Sequence, residues 1–187
     1  LPYTLKVENI TESSGGMDRE TDNELAERVY LAPSKYSTAG TEGAYEYWIK
    51  SFDEKPSELR VISEAPGEVD IYVMSPGGDM PDDGYLQRLE AYIRQLTDNV
   101  IVKKPEAVPY EIVFKYYISE ENEDIEETIK KKVQDVCDNY GKSQRKIGKD
   151  IDPSEIIGLL YGAGATKITL LSPQYTEVEN SQVAILN

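Results

Sequence analysis

Histidine is absent from these 187 residues, and cysteine occurs once, at position 137. The first absence removes Ser-His-Asp and Cys-His catalysis and histidine-ligated zinc, and the second removes any intramolecular disulfide. Cys137 falls on the apolar side of a helical pattern, where a thiol reads as a buried, inert side chain rather than a nucleophile. Long hydrophobic runs are missing too. The longest, residues 156–165, is broken by glycines and is too short to span a bilayer, and no signal-peptide pattern is visible. Positive charge is in the minority, with 20 Lys and Arg against 35 Asp and Glu, for a net charge of −15. Such a chain repels phosphate backbones, so nucleic acid is not an expected partner.

What is present is an ordinary globular composition, 39% hydrophobic and 29% charged. The length suits one medium domain or two small ones of about 100 residues each. Leu1 rather than Met opens the chain, which reads as a fragment or a processed product. Leu5 and Val7 alternate like a strand, and "TESSGGMD" (11–18) reads as a loop. Thr21 and Glu24 form a capping box for a helix through "NELAERVYL", which Pro33 ends. "PSKYSTAG" is a second loop, and "TEGAYEYWIKSF" reads as a helix with Ala44, Trp48 and Ile49 on one side.

From Leu59 the apolar period becomes two. "ELRVISEA" and "GEVDIYVMS" read as strands joined at Pro66-Gly67, with Val69, Ile71 and Val73 facing one way and Asp70 and Tyr72 the other. A helix follows, with Pro81 at its first position, Asp82 and Asp83 in its first turn, and a stripe of Leu86, Leu89, Ile93 and Leu96. The strand 100–103 closes this unit. Pro105 and Pro109 then bracket Glu106-Ala107-Val108 as a stiff bridge.

The second unit opens with "YEIVFKYYI", a strand with Ile112, Phe114 and Tyr116 on one face. Ser119 is expected to cap the next helix, whose acidic start suits the dipole. Its stripe is Ile125, Ile129, Val133, Val136, Cys137 and Tyr140, with Glu126–Lys130 and Glu127–Lys131 pairs outside. Asp152, Pro153 and Glu155 mark the start of a further helix with a capping box, "GAGATK" stops it, and "KITLLS" and "QVAILN" are the last strands. The expectation is therefore an α+β protein of two small two-layer sandwiches, each of about three strands and two helices, joined by a short Pro-containing linker and preceded by an N-terminal strand/helix segment. The boundaries are 1–40 for that segment, 41–105 for the first domain and 106–187 for the second.

Chemistry is hard to find in this string. "SPGGDMPDDG" (75–84) has glycines and aspartates, but neither the calcium-loop spacing nor the Lys-Ser/Thr of a phosphate loop. It reads as a loop into a helix. "GAGATK" follows a helix and precedes a strand, the wrong order for a dinucleotide site. "EENEDIEE" has lysines one turn on and reads as a solvated face rather than an acid/base pair. Lys142, Arg145, Lys146 and Lys149 form a local basic patch, either a docking patch or a plain solvated loop. Fourteen tyrosines against two phenylalanines lean toward surfaces that become interfaces. No catalytic, cofactor-binding or metal-binding residue is expected, and no cofactor.

Five strings stand together in register: "STAGTEGAYEYW", "APGEVDIYVMSPGG", "RQLTDNVIVKKPEAVPYEI", "IGKDIDPSEIIGLLYGAGATKITL" and "SPQYTEVENSQVAI". In this order they resemble the C-terminal part of the baseplate J-like family, the tail baseplate wedge proteins of contractile-tailed phages. The resemblance covers residues 16–187. That family usually has Arg-Pro-Leu-Thr-Asp where this chain has Arg94-Gln95-Leu96-Thr97-Asp98, which leaves the helix free to run a residue or two further. The resemblance implies a structural, non-enzymatic part of a phage, prophage or phage-tail-like particle that links hub, sheath end and peripheral parts. It implies other baseplate proteins and copies of itself as partners in the ring. It places the chain at the tail baseplate, assembled in the bacterial cytoplasm, as the outer arm without the ring-building region. Alone, so charged a chain is expected to be monomeric. A receptor- or glycan-binding module is the alternative, resting on the tyrosine count.

Overall fold

A computed structural model describes residues 20–36, 41–65, 67–94, 100–119 and 124–187. The expected strand at Leu5 and Val7 and the loop at 11–18 lie outside these residues, as does the end of the third helix beyond Arg94. The fold is mixed α+β, as expected. Its elements are α1 (Asp22–Leu31), a 3-10 turn (Ala32–Tyr36), α2 (Glu42–Lys50), β1 (Glu58–Ala65), β2 (Glu68–Met74), α3 (Asp83–Arg94) and β3 (Val100–Lys103). After these come β4 (Glu106–Tyr110), β5 (Val113–Tyr117), α4 (Glu126–Ser143), α5 (Pro153–Gly162), β6 (Thr166–Ser172) and β7 (Gln182–Leu186).

In the first half β1, β2 and β3 form one sheet in that order, β1–β2 antiparallel and β2–β3 parallel. The turn Gly67 has φ 86°, a left-handed angle that glycine takes without cost. One face of the sheet carries Ile71, Val73, Val100 and Val102, against Tyr45 and Ile49 of α2 and Tyr85, Leu89 and Ile93 of α3. Ile71, Val73, Ile49, Leu89 and Ile93 are positions expected from apolar period, whereas Tyr45 and Tyr85 join the core unexpectedly and Trp48 is only half-buried. The parallel β2–α3–β3 crossover was not apparent from the string.

In the second half β4 pairs parallel with β7, and β5 antiparallel with β6. The single strand expected over "YEIVFKYYI" is therefore two short strands in different sheets. The correction extends to the bridge between the prolines. Residues 106–108 are not a free linker but the start of β4, hydrogen-bonded to β7 from Glu106↔Gln182 onward. Pro109 is tolerated because β4 is an edge strand and one side of its backbone makes no ladder bonds. Only Lys104-Pro105 separates β3 from β4. The second half thus has four described strands rather than three.

Helices α4 and α5 cover the inner face of β5–β6. Ile129, Val133, Tyr140, Ile156 and Leu160 meet Phe114, Tyr116, Ile168 and Leu170 there. Three expected caps differ. Ser119 does not cap α4, whose N-cap position is Ile125, 49% exposed rather than part of the buried stripe. Asp152 caps α5 by accepting from Ser154 N–H at 2.8 Å, but Glu155 turns away to Lys149 and closes no box. Helix α3 starts at Asp83 with Asp82 as its cap, so Pro81 lies before it rather than at its first position. The end of α5 is a Schellman motif. Ala165 N–H donates to Leu160 C=O and Gly164 N–H to Tyr161 C=O, with Gly164 at φ 102°.

One helix offers a clean test of where stability lies. Leu160 of α5 is 0% exposed and Leu159 beside it is 43% exposed. Leu160→Ala should cost about 2–5 kcal/mol and Leu159→Ala about 1 kcal/mol or less, read from urea unfolding midpoints.

Candidate functional site

The two halves meet along a seam built from the outer face of the first sheet. Tyr72 and Met74 alternate out of the core that holds Ile71 and Val73, and in isolation they would face water. Instead Met74 is 0% exposed, packed with Ile147 and Val183 and flanked by Ile185. Ile147 bridges Val183 across the backbone, and its carbonyl accepts from Arg60 Nη2 of β1 at 3.3 Å. On one flank of the seam Arg145 Nη1 meets Asp79 Oδ1 at 2.7 Å and donates to Gly78 C=O at 3.4 Å.

This seam absorbs most of the features that drew notice in the sequence. The loop 75–82 closes on itself, with Ser75 N–H donating to Asp79 C=O and Gly78 N–H to Ser75 C=O. The first-turn amide of Tyr85 is taken by Asp82 Oδ1 at 2.7 Å. A β–loop–α–β order is present here, yet the protein's own carboxylate occupies the helix N-terminus where an anion would sit. Asp79, Asp82 and Asp83 are thus a clamp residue, a cap and a first-turn acid. Of the basic patch, Arg145 holds Asp79 and Lys149 holds Glu155, while Lys142 and Lys146 stay exposed.

Of the acidic run, residues 124–127 lie among the described residues, and all four are exposed. Lys130 pairs with Glu126 at 2.8 Å and with Glu127 at 2.9 Å, and these two carboxylates hold its ammonium pKa above the ordinary value. Cys137 is partly buried and desolvation pushes its thiol up, away from thiolate chemistry. Among the described residues no group of three or more Cys, Asp and Glu side chains is placed to hold a metal ion. The tyrosines divide. Tyr45, Tyr85, Tyr110 and Tyr140 are buried in the two cores, while Tyr30, Tyr117, Tyr161 and Tyr175 are more than half exposed. The count that suggested a binding surface is thus in part core material.

A cleft of about 510 Å³, which no sequence pattern signals, lies between α1, α2 and the start of β1, lined among others by Glu24, Glu27, Leu31, Tyr47, Lys50 and Lys55. Amphipathic periods report which residues are buried within an element, not which elements leave a gap between them.

Comparisons with known proteins bear on this α+β chain as a whole. No family model matches the chain. Over 176 residues, 90% of its length, it is 30% identical to "Baseplate protein J" of Escherichia phage P2. The chain is thus similar to a baseplate J protein along most of its own length. It spans 56% of that relative's length. Its fold matches a chain of the cryo-EM structure of the anti-feeding prophage (AFP) baseplate, six-fold symmetrised, with a TM-score of 0.57 at 14% identity. That match covers 93% of this chain and 43% of the other.

Two measurements test how the chain holds its seam. Met74→Ala removes a fully buried side chain and should lower stability by about 2–4 kcal/mol. Asp79→Asn breaks an ion pair whose Asp79 side chain is 75% exposed and should cost less than about 1 kcal/mol. Urea titration of both variants distinguishes an apolar seam from an ionic one.

Asp150 supplies a pH signature. Its carboxylate accepts from Val178 N–H at 2.9 Å and from Tyr175 O–H at 2.8 Å, and these bonds hold its pKa below the usual aspartate value. A depressed folded-state pKa stabilises above the unfolded value, about 3.9, and that contribution is lost as pH falls through the folded value. Asp150→Asn should therefore destabilise the protein at pH about 7, and its deficit against the parent should shrink as pH falls below the unfolded value. Unfolding midpoints across that range provide the check.

Proposed function

We propose that this chain is a structural arm of a contractile-tail baseplate, a spacer that sets the position of its neighbours and carries no catalytic activity. The observation that carries the reading is the similarity to phage P2 Baseplate protein J along nearly the whole chain. The seam supports it, because a spacer needs internal contacts that resist bending. In this reading residues 41–105 and 106–187 are two small domains, and 1–40 belongs to a preceding segment. Its partners are other baseplate proteins and copies of itself in the assembled particle. The isolated chain is monomeric, its like charges opposing self-association. It acts at the tail baseplate of a phage, prophage or related particle, and binds neither nucleic acid nor membrane.

Complementation of a particle lacking the gene tests this. Changing Asp79, Asp82 and Asp83 together to Asn should leave particle yield nearly unaffected, since Asn caps a helix about as well as Asp. Ending the chain after Lys104 should leave tails without assembled baseplates. A lethal triple variant with intact folding and assembly would reveal a ligand site and reject the spacer reading.

A further inference from the structure

Helix α1 is inverted in polarity. Ten residues long, it buries only Leu31, at 6% exposure. The side it turns to the cleft carries Glu24, Glu27 and Arg28. On the opposite side Leu25, Val29 and Tyr30 are 42%, 62% and 82% exposed. An amphipathic helix docked by the hydrophobic effect does the reverse.

Its attachments differ at the two ends. The C-terminal end is pinned by packing, for Leu31 is buried and the following turn comes close to α2. A Cβ placed on Gly43 would stand 2.9 Å from Ser34 Oγ, so only glycine admits this approach without a shift. The remainder is held by charge. Lys50 Nζ of α2 meets Glu27 Oε1 at 2.5 Å, and Lys55 Nζ, beyond α2, meets Glu24 Oε1. All four side chains are between 33% and 54% exposed. Between these contacts lies the open cleft. A helix of this length has little stability of its own in water, so what docks it also keeps it helical.

We propose that α1 is a charge-latched strap: Lys50 and Lys55 hold it over the cleft, and raised ionic strength frees it to swing about Leu31 and open the cleft. Salt is the trigger because exposed pairs are weak and screened, with the Debye length falling from about 10 Å at 0.1 M to about 3 Å at 1 M. Acid is a poor trigger for one of the two pairs. Lys55 first, and then Thr21, hold the Glu24 carboxyl down at about 2, so it stays charged through any mildly acidic medium. Glu24 also accepts at the N-cap of α1, so its loss would unravel the helix as well as unlatch it.

Hydrogen exchange on the whole chain reads the latch directly, with α3 as the internal reference. Between about 0.05 M and about 1 M NaCl, α1 amides should exchange about tenfold faster while α3 amides keep their rates. Lys50→Glu should give the high-salt α1 rates already at low salt, and adding Glu27→Lys to that variant should restore protection by reversing the pair. Unchanged α1 rates in salt would overturn the proposal, and so would equal acceleration of α1 and α3, which is general loosening. Failure of the reversed pair to restore protection while α3 stays protected would overturn it too. None of these outcomes depends on the baseplate reading.

Discussion

Ile147 is where the structure is tied. Its side chain fills the gap between Met74 of the first sheet and Val183 of β7, its backbone bridges Val183, and its carbonyl takes the guanidinium of Arg60 from β1. One residue thus joins an apolar contact, a ladder contact and a hydrogen bond to the opposite half. The neighbouring positions serve the same place. Gly148 turns the chain at φ 73° with its N–H donating to Gln182 C=O, and Arg145 reaches the other way to Asp79. Without this knot the outer face of β2 would present Met74 and Tyr72 to water, and β7 would lose its antiparallel neighbour.

The balance of forces follows from burial. The charged pairs sit on exposed side chains, where ion pairs contribute about 0–1 kcal/mol each. Among the described residues the fully buried side chains are apolar or aromatic, apart from Gln144, whose Nε2 reaches Glu155 at 3.3 Å. Stability therefore resides in two apolar layers and the small cluster between them. The surplus of carboxylates acts on solubility and on the approach of other chains rather than on the fold.

Much of this could be read from the string because local rules and tertiary packing agree over most of it. The strand "ELRVISEA" has the observed bounds, and the Thr21–Glu24 box and the α3 stripe from Leu86 to Ile93 hold because period and capping are properties of neighbouring residues. Failure came where a partner distant in sequence decides. Residues 106–110 look like a proline-stiffened link until β7, more than seventy residues on, supplies a strand beside them. Glu155 has the spacing of a capping box, yet Lys149 and Gln144 compete for its carboxylate. Met74 lies on the polar phase of its strand and is buried because another sheet covers it. Asp79 and Asp82, which stand in a loop with glycines and aspartates, accept hydrogen bonds from Arg145 and from the Tyr85 amide. Motifs that resemble ligand loops are here satisfied by the protein's own groups.

The same contacts bear on how a positioning part could work. Strands β3 and β4 belong to different sheets, yet only Lys104 and the buried Pro105 lie between them. A connection so short, with proline fixing one of its torsions, leaves little freedom for the halves to rotate. Rotation would also have to uncover Met74 and Ile147 and part Arg60 from the Ile147 carbonyl, so the covalent and non-covalent constraints oppose the same motion. In the latch proposal compliance lies in α1, the helix with the fewest buried residues, at the end of the described chain furthest in sequence from the seam. A body that is stiff along its length and loosely strapped at one end transmits position through the seam while its strap adjusts to what lies beside it. That division of labour follows from where the apolar area was placed: within each half and in the cluster that joins them, and beneath α1 at a single leucine.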